Sequence, residues 1–291
     1  MSNTVLSCEN LKYLYSVGTP FEKAAISGIN FEAFEGEIVG IIGHTGSGKS
    51  TLIQHFNGLL EPSEGRMTVV GNDIWEKKNR KNIRQVRFTV GLCFQYPEYQ
   101  IFEETVYKEI AFGPKQMGLD DEEIKKRIYE SMDFLGLKRE LENKSPFDLS
   151  GGQKRRVAIA SIIAMQPKVL ILDEPCAGLD PKGRDKILSL IKEYQRVKGN
   201  TVIFVSHSME DVAKLADRVL VMNKGKEAML GTVSEVYSRG KELKEMGLNV
   251  PEVTEVFLKL AEMGIPCKTD IYTVEQGVAE IERLKKEREV Q

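Results

Sequence analysis

Three stretches of the chain are apolar almost throughout: Ile38-Val39-Gly40-Ile41-Ile42, Val169-Leu170-Ile171-Leu172 and Val202-Ile203-Phe204-Val205. A strand covered on one face alternates apolar and polar residues, whereas a run without alternation is covered on both, as in a parallel sheet. Arg218 to Met222 reads as a further strand. Helical patterns separate these runs, so the spacing predicts an α/β domain. Between Gln95 and Leu149 the texture becomes charged and helix-favouring, as in Asp120-Asp121-Glu122-Glu123-Ile124-Lys125-Lys126-Arg127, which predicts a helical subdomain inserted into the α/β core. Near Leu230 it changes again. Thr232-x-x-Glu235 and Thr273-x-x-Gln276 fit capping boxes at helix starts. Val253, Val256, Phe257, Leu260 and Ala261 then form one apolar stripe at helical spacing, and Val274, Val278, Ile281 and Leu284 a second, both needing a surface to bury against. No internal repeat or low-complexity linker interrupts the chain.

Composition narrows the class. The 291 residues include 41 Lys and Arg against 43 Asp and Glu, for a formal net charge of −2, with 41% hydrophobic and 29% charged residues. That is the balance of a folded globular protein of one large or two smaller domains. It argues against a nucleic-acid partner gripped by a basic surface. The basic run from Lys77 to Arg84 reads as a solvated face, with contact to anionic lipid headgroups as the alternative. No apolar run approaches the roughly 20 residues that span a bilayer, and Val157 to Met165 reads as a buried helix. Met1-Ser2-Asn3-Thr4 lacks the features of a signal peptide. Cys8, Cys93, Cys176 and Cys267 are far apart without a CxxC, so reduced thiols in cytoplasm are expected, and no structural zinc.

Gly43-His44-Thr45-Gly46-Ser47-Gly48-Lys49-Ser50 fits GxxxxGK[ST], directly after the Ile38–Ile42 strand and before an apolar helical run opening at Thr51. Glycines let successive backbone N–H groups turn inward around phosphate oxygens, where a side chain would intrude. The following helix points its N-terminus, about +0.5 charge, at the same anion. Lys49 can reach the β- and γ-phosphates and the Ser50 hydroxyl can coordinate Mg²⁺. The whole stretch Gly43–Thr51 is therefore expected to hold a nucleotide, with His44 contributing backbone contacts. His44 and His55 have no visible carboxylate or cysteine partners, so metal ligation is not expected of either.

Five further strings follow in a fixed order. Leu149-Ser150-Gly151-Gly152-Gln153 resembles the signature sequence of ABC ATPases. Asp173-Glu174, ending the apolar strand from Val169, resembles a Walker B motif with its adjacent glutamate, and Ala177-Gly178-Leu179-Asp180 a D-loop. His207 is similar to the family's switch histidine and Gln95 to its Q-loop glutamine. Taken singly each has a bland reading, as a turn, a solvated strand end or a surface histidine. Together, over about residues 5–230, the chain is identified as a member of that family. The resemblance implies a P-loop NTPase fold of the ABC ATPase type. It has an N-terminal antiparallel β subdomain, a helical subdomain over about 96–165 and a C-terminal helical extension over 231–291. It implies ATP and Mg²⁺ as ligands, with Ser50, Asp173 and Gln95 toward the metal. Glu174 is the candidate base, set apart from Asp173 by the alternation of strand side chains. His207 would hold the γ-phosphate and Gln95 would sense it. Ser150, Gly151, Gly152, Gln153 and Asp180 would serve a nucleotide held by another subunit, so the chain must pair. The family also places an aromatic residue under adenine. Tyr15 is the choice, with Tyr13 and Phe21 as alternatives and strand packing as the competing role.

Other strings resemble one branch. Gly18-Thr19-Pro20-Phe21-Glu22, the run from Phe94-Gln95-Tyr96-Pro97-Glu98-Tyr99 to Val106, Ile110-Ala111-Phe112-Gly113-Pro114-Lys115 and Ser145-Pro146-Phe147-Asp148 are similar to ATPase subunits of energy-coupling-factor (ECF) transporters, relatives of cobalt-type import ATPases. The resemblance is to the second of the paralogous ATPases. It implies a paralogous ATPase partner rather than an identical one, an integral membrane scaffold and a substrate-binding membrane subunit. It also implies a peripheral place on the cytoplasmic membrane face. The rivals are the ATPase of another ABC importer or exporter, and a nucleotide-gated interaction module with little hydrolysis. Glu98 is expected either to receive a scaffold arginine or to lie exposed. The apolar stripes beyond residue 232 either extend the dimer contact or pack on the chain's own core. Cys176 stands where the family favours Thr or Ser, and Ser206 where it often has Thr; both replacements are small and leave oxidation sensitivity, rather than catalysis, open.

Overall fold

The computed structural model describes residues 3–289. The chain begins with strands β1 (Thr4–Tyr15), β2 (Lys23–Phe34) and β3 (Ile38–Ile42), helix α1 (Lys49–Phe56), and strands β4 (Glu64–Val69) and β5 (Asn72–Asp73). Helix α2 (Ile83–Thr89) and strand β6 (Val90–Cys93) lead into helices α3 (Val106–Gln116), α4 (Asp121–Phe134) and α5 (Gly151–Ile163). Next come β7 (Val169–Asp173), α6 (Pro181–Lys198), β8 (Thr201–Val205), α7 (Met209–Leu215), β9 (Arg218–Asn223) and β10 (Lys226–Thr232). Helices α8 (Val233–Ser238), α9 (Gly240–Glu245), α10 (Glu252–Glu262) and α11 (Val274–Glu289) follow.

Two sheets result. One is antiparallel, in the order β2-β1-β4-β5; the other runs β10-β9-β3-β8-β7-β6, parallel except for β10. The apolar strands face two cores at once, and that is why they do not alternate in sequence. Ile38, Ile42, Leu170, Leu172, Val202 and Phe204 pack toward the helices. Val39, Ile41, Val169, Ile171, Ile203 and Val205 pack toward the antiparallel sheet and α1. Each core strand has every residue buried.

Many of the helices start at a side-chain cap, which satisfies a donor that the helix leaves orphaned. Thr105, Asp120, Asp180 and Ser208 accept from backbone N–H groups opening α3, α4, α6 and α7. Ser150 and Gln153 form a full capping box at α5, as do Thr232 and Glu235 at α8. At α11, Thr273 and Gln276 exchange the same bonds, at 3.3 and 3.1 Å. Helix α2 lies inside the segment begun by the basic run, which is largely exposed; the helix has no buried residue, so apolar periodicity could not reveal it.

The two C-terminal stripes meet different surroundings. Val274, Val278 and Ile281 point outward, Val274 with 66% of its surface exposed. Helix α11 instead approaches α10 through Gly277, where an added Cβ would lie 2.8 Å from Val253 and 3.2 Å from Phe257. Of the first stripe, Phe257 is buried and Val256 is half exposed. Upstream, Val233, Val236, Tyr237, Leu243, Leu248 and Val250 join the same core as the sheet and helical segment. Among the described residues no helix is long and apolar enough to cross a membrane.

Candidate nucleotide site

Strands β3, β8, β7 and β6 are adjacent and parallel, so the segments leaving their C-terminal ends share one edge of the sheet. That edge is where open α/β sheets bind ligands. It gathers the Gly43–Ser50 loop, His207, Asp173-Glu174 and Gln95 in that order.

Two glycines seat the loop against the protein. A Cβ at Gly43 would lie 2.4 Å from the Met222 carbonyl, and one at Gly48, whose φ is 103°, would lie 2.7 Å from the Ala25 carbonyl. Around Gly46 nothing stands within 4 Å, which leaves that side open to a ligand. Lys49 is 7% exposed and donates to the Gly43 and His44 carbonyls at 2.6 and 3.1 Å. Burial lowers its pKa, while Glu174 and Asp173 oppose that shift. The Ser47 hydroxyl is buried with no hydrogen-bond partner. His44 does more than contribute backbone: its ring contacts the Thr45 carbonyl at 2.8 Å and Asn223 at 3.2 Å, tying the loop to the end of β9. His55 is enclosed against the Thr51 carbonyl at 2.7 Å and the Tyr13 ring.

Ser50 donates to Asp173 at 3.4 Å. Burial raises the Asp173 pKa, with Lys49 and Ser50 pulling it down. Glu174 is pushed up to about 7, by burial first and the Asp173 charge second, against Lys49 and the His207 amide. Strand alternation does not separate the two carboxylates as expected. Strand β7 stops at Asp173, and Glu174 turns into the left-handed region at φ 50°, its amide bonded to the Val205 carbonyl. Such a backbone is strained for a residue with a side chain. His207 Nε2 lies 3.3 Å from Glu174 Oε1 without hydrogen-bond alignment, so Oε1 remains buried and without a donor. The His207 pKa is lowered, chiefly by burial and then by Lys49. Gln95 is exposed at the end of β6, and among the described residues no hydrogen bond holds its side chain.

Tyr15 shares a 3.2 Å hydrogen bond with Thr51 and packs edge-on to Tyr13, with 40% of its surface open. Tyr13 packs against the core, and Phe21 stands 83% exposed. Ser150-Gly151-Gly152-Gln153 opens α5, and among the described residues no hydrogen bond joins it to the Gly43–Thr51 loop. Asp180 uses one oxygen on the Gly183 amide, at 2.6 Å.

Several neighbours of the candidate site were not visible in the sequence. Glu98 is not an exposed acid: within the chain Arg155 forks onto it at 3.0 and 2.6 Å. Arg184 grips both Asp211 oxygens at 2.7 and 2.8 Å and also reaches Ser208, bracing the turn after His207. Ser206 accepts the Ser208 amide at 3.1 Å within that turn. The run Lys154-Arg155-Arg156 was the available signal, but a basic run does not reveal which cation turns inward. Cys176 is half-buried. Burial, with Asp211 next, pushes that thiol up to about 12, which suppresses the reactive thiolate.

The model of the ABC transporter family matches residues 26–177. A relative from Caldanaerobacter subterraneus subsp. tengcongensis, named energy-coupling factor transporter ATP-binding protein EcfA2, is 52% identical over 96% of each chain. A relative of the same name from Clostridium perfringens is 54% identical over 94% of this chain and 95% of its own. Among solved structures, cbiO1 from Clostridium perfringens, described as part of the ABC transporter complex cbiONQ, aligns with a TM-score of 0.73 and 39% identity. It covers 90% of this chain and 98% of its own. The ATP-binding cassette MJ0796, described as a dimer in a post-hydrolysis state bound to ADP and Pi, aligns with a TM-score of 0.68 and 27% identity. That alignment covers 78% of this chain and 98% of the other.

Proposed function

The chain belongs to the ABC transporter family, and from that premise we propose that it is the ATP-binding and hydrolysing subunit of an ECF-type importer. It would energise uptake of vitamins or metal ions through separate membrane subunits. One observation carries the catalytic reading. A carboxyl oxygen of Glu174 is buried without a hydrogen-bond donor, beside Lys49 and His207 and at the sheet edge that ends in the phosphate loop.

The Gly43–Thr51 backbone would cradle the phosphates, with Lys49 exchanging the Gly43 and His44 carbonyls for phosphate oxygens. Tyr15, steadied by Thr51, would stack on adenine. Ser50 and Asp173 suit Mg²⁺, a hard cation that takes oxygen ligands and keeps several waters. Among the described residues no cluster of three or more His, Cys, Asp or Glu side chains is gathered, so its other oxygens would come from phosphate and water. Bound Mg²⁺ would neutralise charge on the β- and γ-phosphates. Gln95 would turn toward that pair. Glu174 would take the proton of the attacking water on its vacant oxygen, with His207 orienting the γ-phosphate. Ser150, Gly151, Gly152 and Gln153, with Asp180 beside them, would complete the site of a partner subunit.

Residues 5–230 would form the ATPase unit, with the helical subdomain over about 96–165 and the extension over 231–291. The partner ATPase would be a paralogue, and the pair would sit at the cytoplasmic face against an integral scaffold and a substrate-binding subunit. The exposed Val274, Val278 and Ile281 support a role for the extension in pairing. In the assembled transporter, Glu174→Gln is expected to retain ATP binding while hydrolysis falls about 10²–10⁴-fold. Near-normal turnover would reject the assignment.

A further inference from the structure

We propose that Arg155 is a positioning residue for Glu174, tying the signature helix to the turn that carries the base. The inference rests on Glu174 being that base. Arg155 stands one helical turn beyond Gly151 and Gly152, on the same face of α5. Its side chain is only 4% exposed. Nε and Nη2 fork onto Glu98 at 3.0 and 2.6 Å, three residues after Gln95. Nη1 turns the other way and donates to the carbonyls of Pro175 and Ala177, at 3.3 and 2.5 Å. The guanidinium also lies 5.9 Å over the ring of Tyr96. That ring reaches across to Gly178, where an added Cβ would stand 3.8 Å from it. One side chain therefore joins the Gln95 loop, the signature helix and the Glu174–Asp180 segment.

This arrangement addresses the strain at Glu174. A left-handed backbone persists in a residue with a side chain only where its surroundings over-determine it. The turn closes through the Ala177 amide on the Glu174 carbonyl at 3.1 Å, and Arg155 holds the carbonyls just beyond the base. A signature helix displaced by a partner's nucleotide would move Glu174 with it.

The test is ATP hydrolysis by the assembled transporter under single-turnover conditions, with ATP affinity measured in parallel. Arg155→Met is expected to slow hydrolysis about 10- to 100-fold, the scale of a small misplacement, while ATP affinity changes less than about 2-fold. Arg155→Lys keeps the charge but cannot fork onto Glu98 and reach two carbonyls, so it recovers only part of the rate. On a Glu174→Gln background, Arg155→Met is expected to add less than about 2-fold, because both changes disable the same group. A multiplied loss there, with Glu174→Gln itself slow, overturns the inference alone. Near-normal hydrolysis by Glu174→Gln overturns the inference together with the reading it rests on. Arg155→Met leaves Glu98 buried without its cation, so Arg155→Met/Glu98→Gln guards against misfolding. A folded, slow double variant supports the proposal, and a folded one at wild-type rate overturns it.

Discussion

Glu174 combines a left-handed backbone at φ 50° with a carboxyl pushed up to about 7. Its ordinary value is 4.5, so between these limits the folded chain keeps a proton that the unfolded chain has released. Stability associated with this group is full below pH 4.5 and is lost as pH rises through about 7. Glu174→Gln is therefore expected to raise the Tm of the nucleotide-free protein by a few degrees more at pH 8 than at pH 5. An equal change at both pH values would contradict the shift. Residues such as Glu174, Asp173 and Lys49 were legible because their motifs are contiguous strings beside apolar runs. The Arg155–Glu98 pair was not, because 57 positions separate its members and only the fold brings them together.

The starts of α8 and α11 were readable from the capping boxes at Thr232 and Thr273. The orientation of α11 was not, because its contact with α10 is made through a glycine that no apolar pattern includes. Near that contact Glu280 is buried, accepting from the Lys268 amide at 2.9 Å and from Arg283 at 2.6 Å. Arg283 first, and then the Lys268 amide, hold its carboxyl down to about 2, against the opposing effect of burial. A depressed carboxylate contributes stability above its unfolded value of 4.5, and that contribution is lost as pH falls toward about 2. Acid is thus expected to loosen α11 from the Pro266–Lys268 segment before the core strands open, as read by amide exchange. In Glu280→Gln the exchange of that segment should lose its dependence on pH in this window. Unchanged dependence would assign the effect to another group.

At the scale of the molecule, among the described residues no hydrogen bond joins the signature turn of the chain to its own phosphate loop, and the proposed mechanism has a second subunit complete the site. Specific ATPase activity is expected to fall on dilution of the purified ATPase pair, and constancy down to the monomer would contradict the paired mechanism. Val278 is half exposed, so Val278→Glu can test pairing without opening a core. It is expected to weaken nucleotide-free association at least about 10-fold with an unchanged Tm, the scale of a disrupted interface contact. Unaltered mass by light scattering would exclude this face from the contact.

The Tyr237 hydroxyl donates to the Met209 carbonyl at 3.0 Å, and its ring lies 6.3 Å from that of Tyr272, just ahead of α11. Met209 stands two residues past His207. The appended helices are thus tied to the start of α7 by a buried hydrogen bond. Any shift of the appended helices relative to the sheet would therefore be felt two residues from His207.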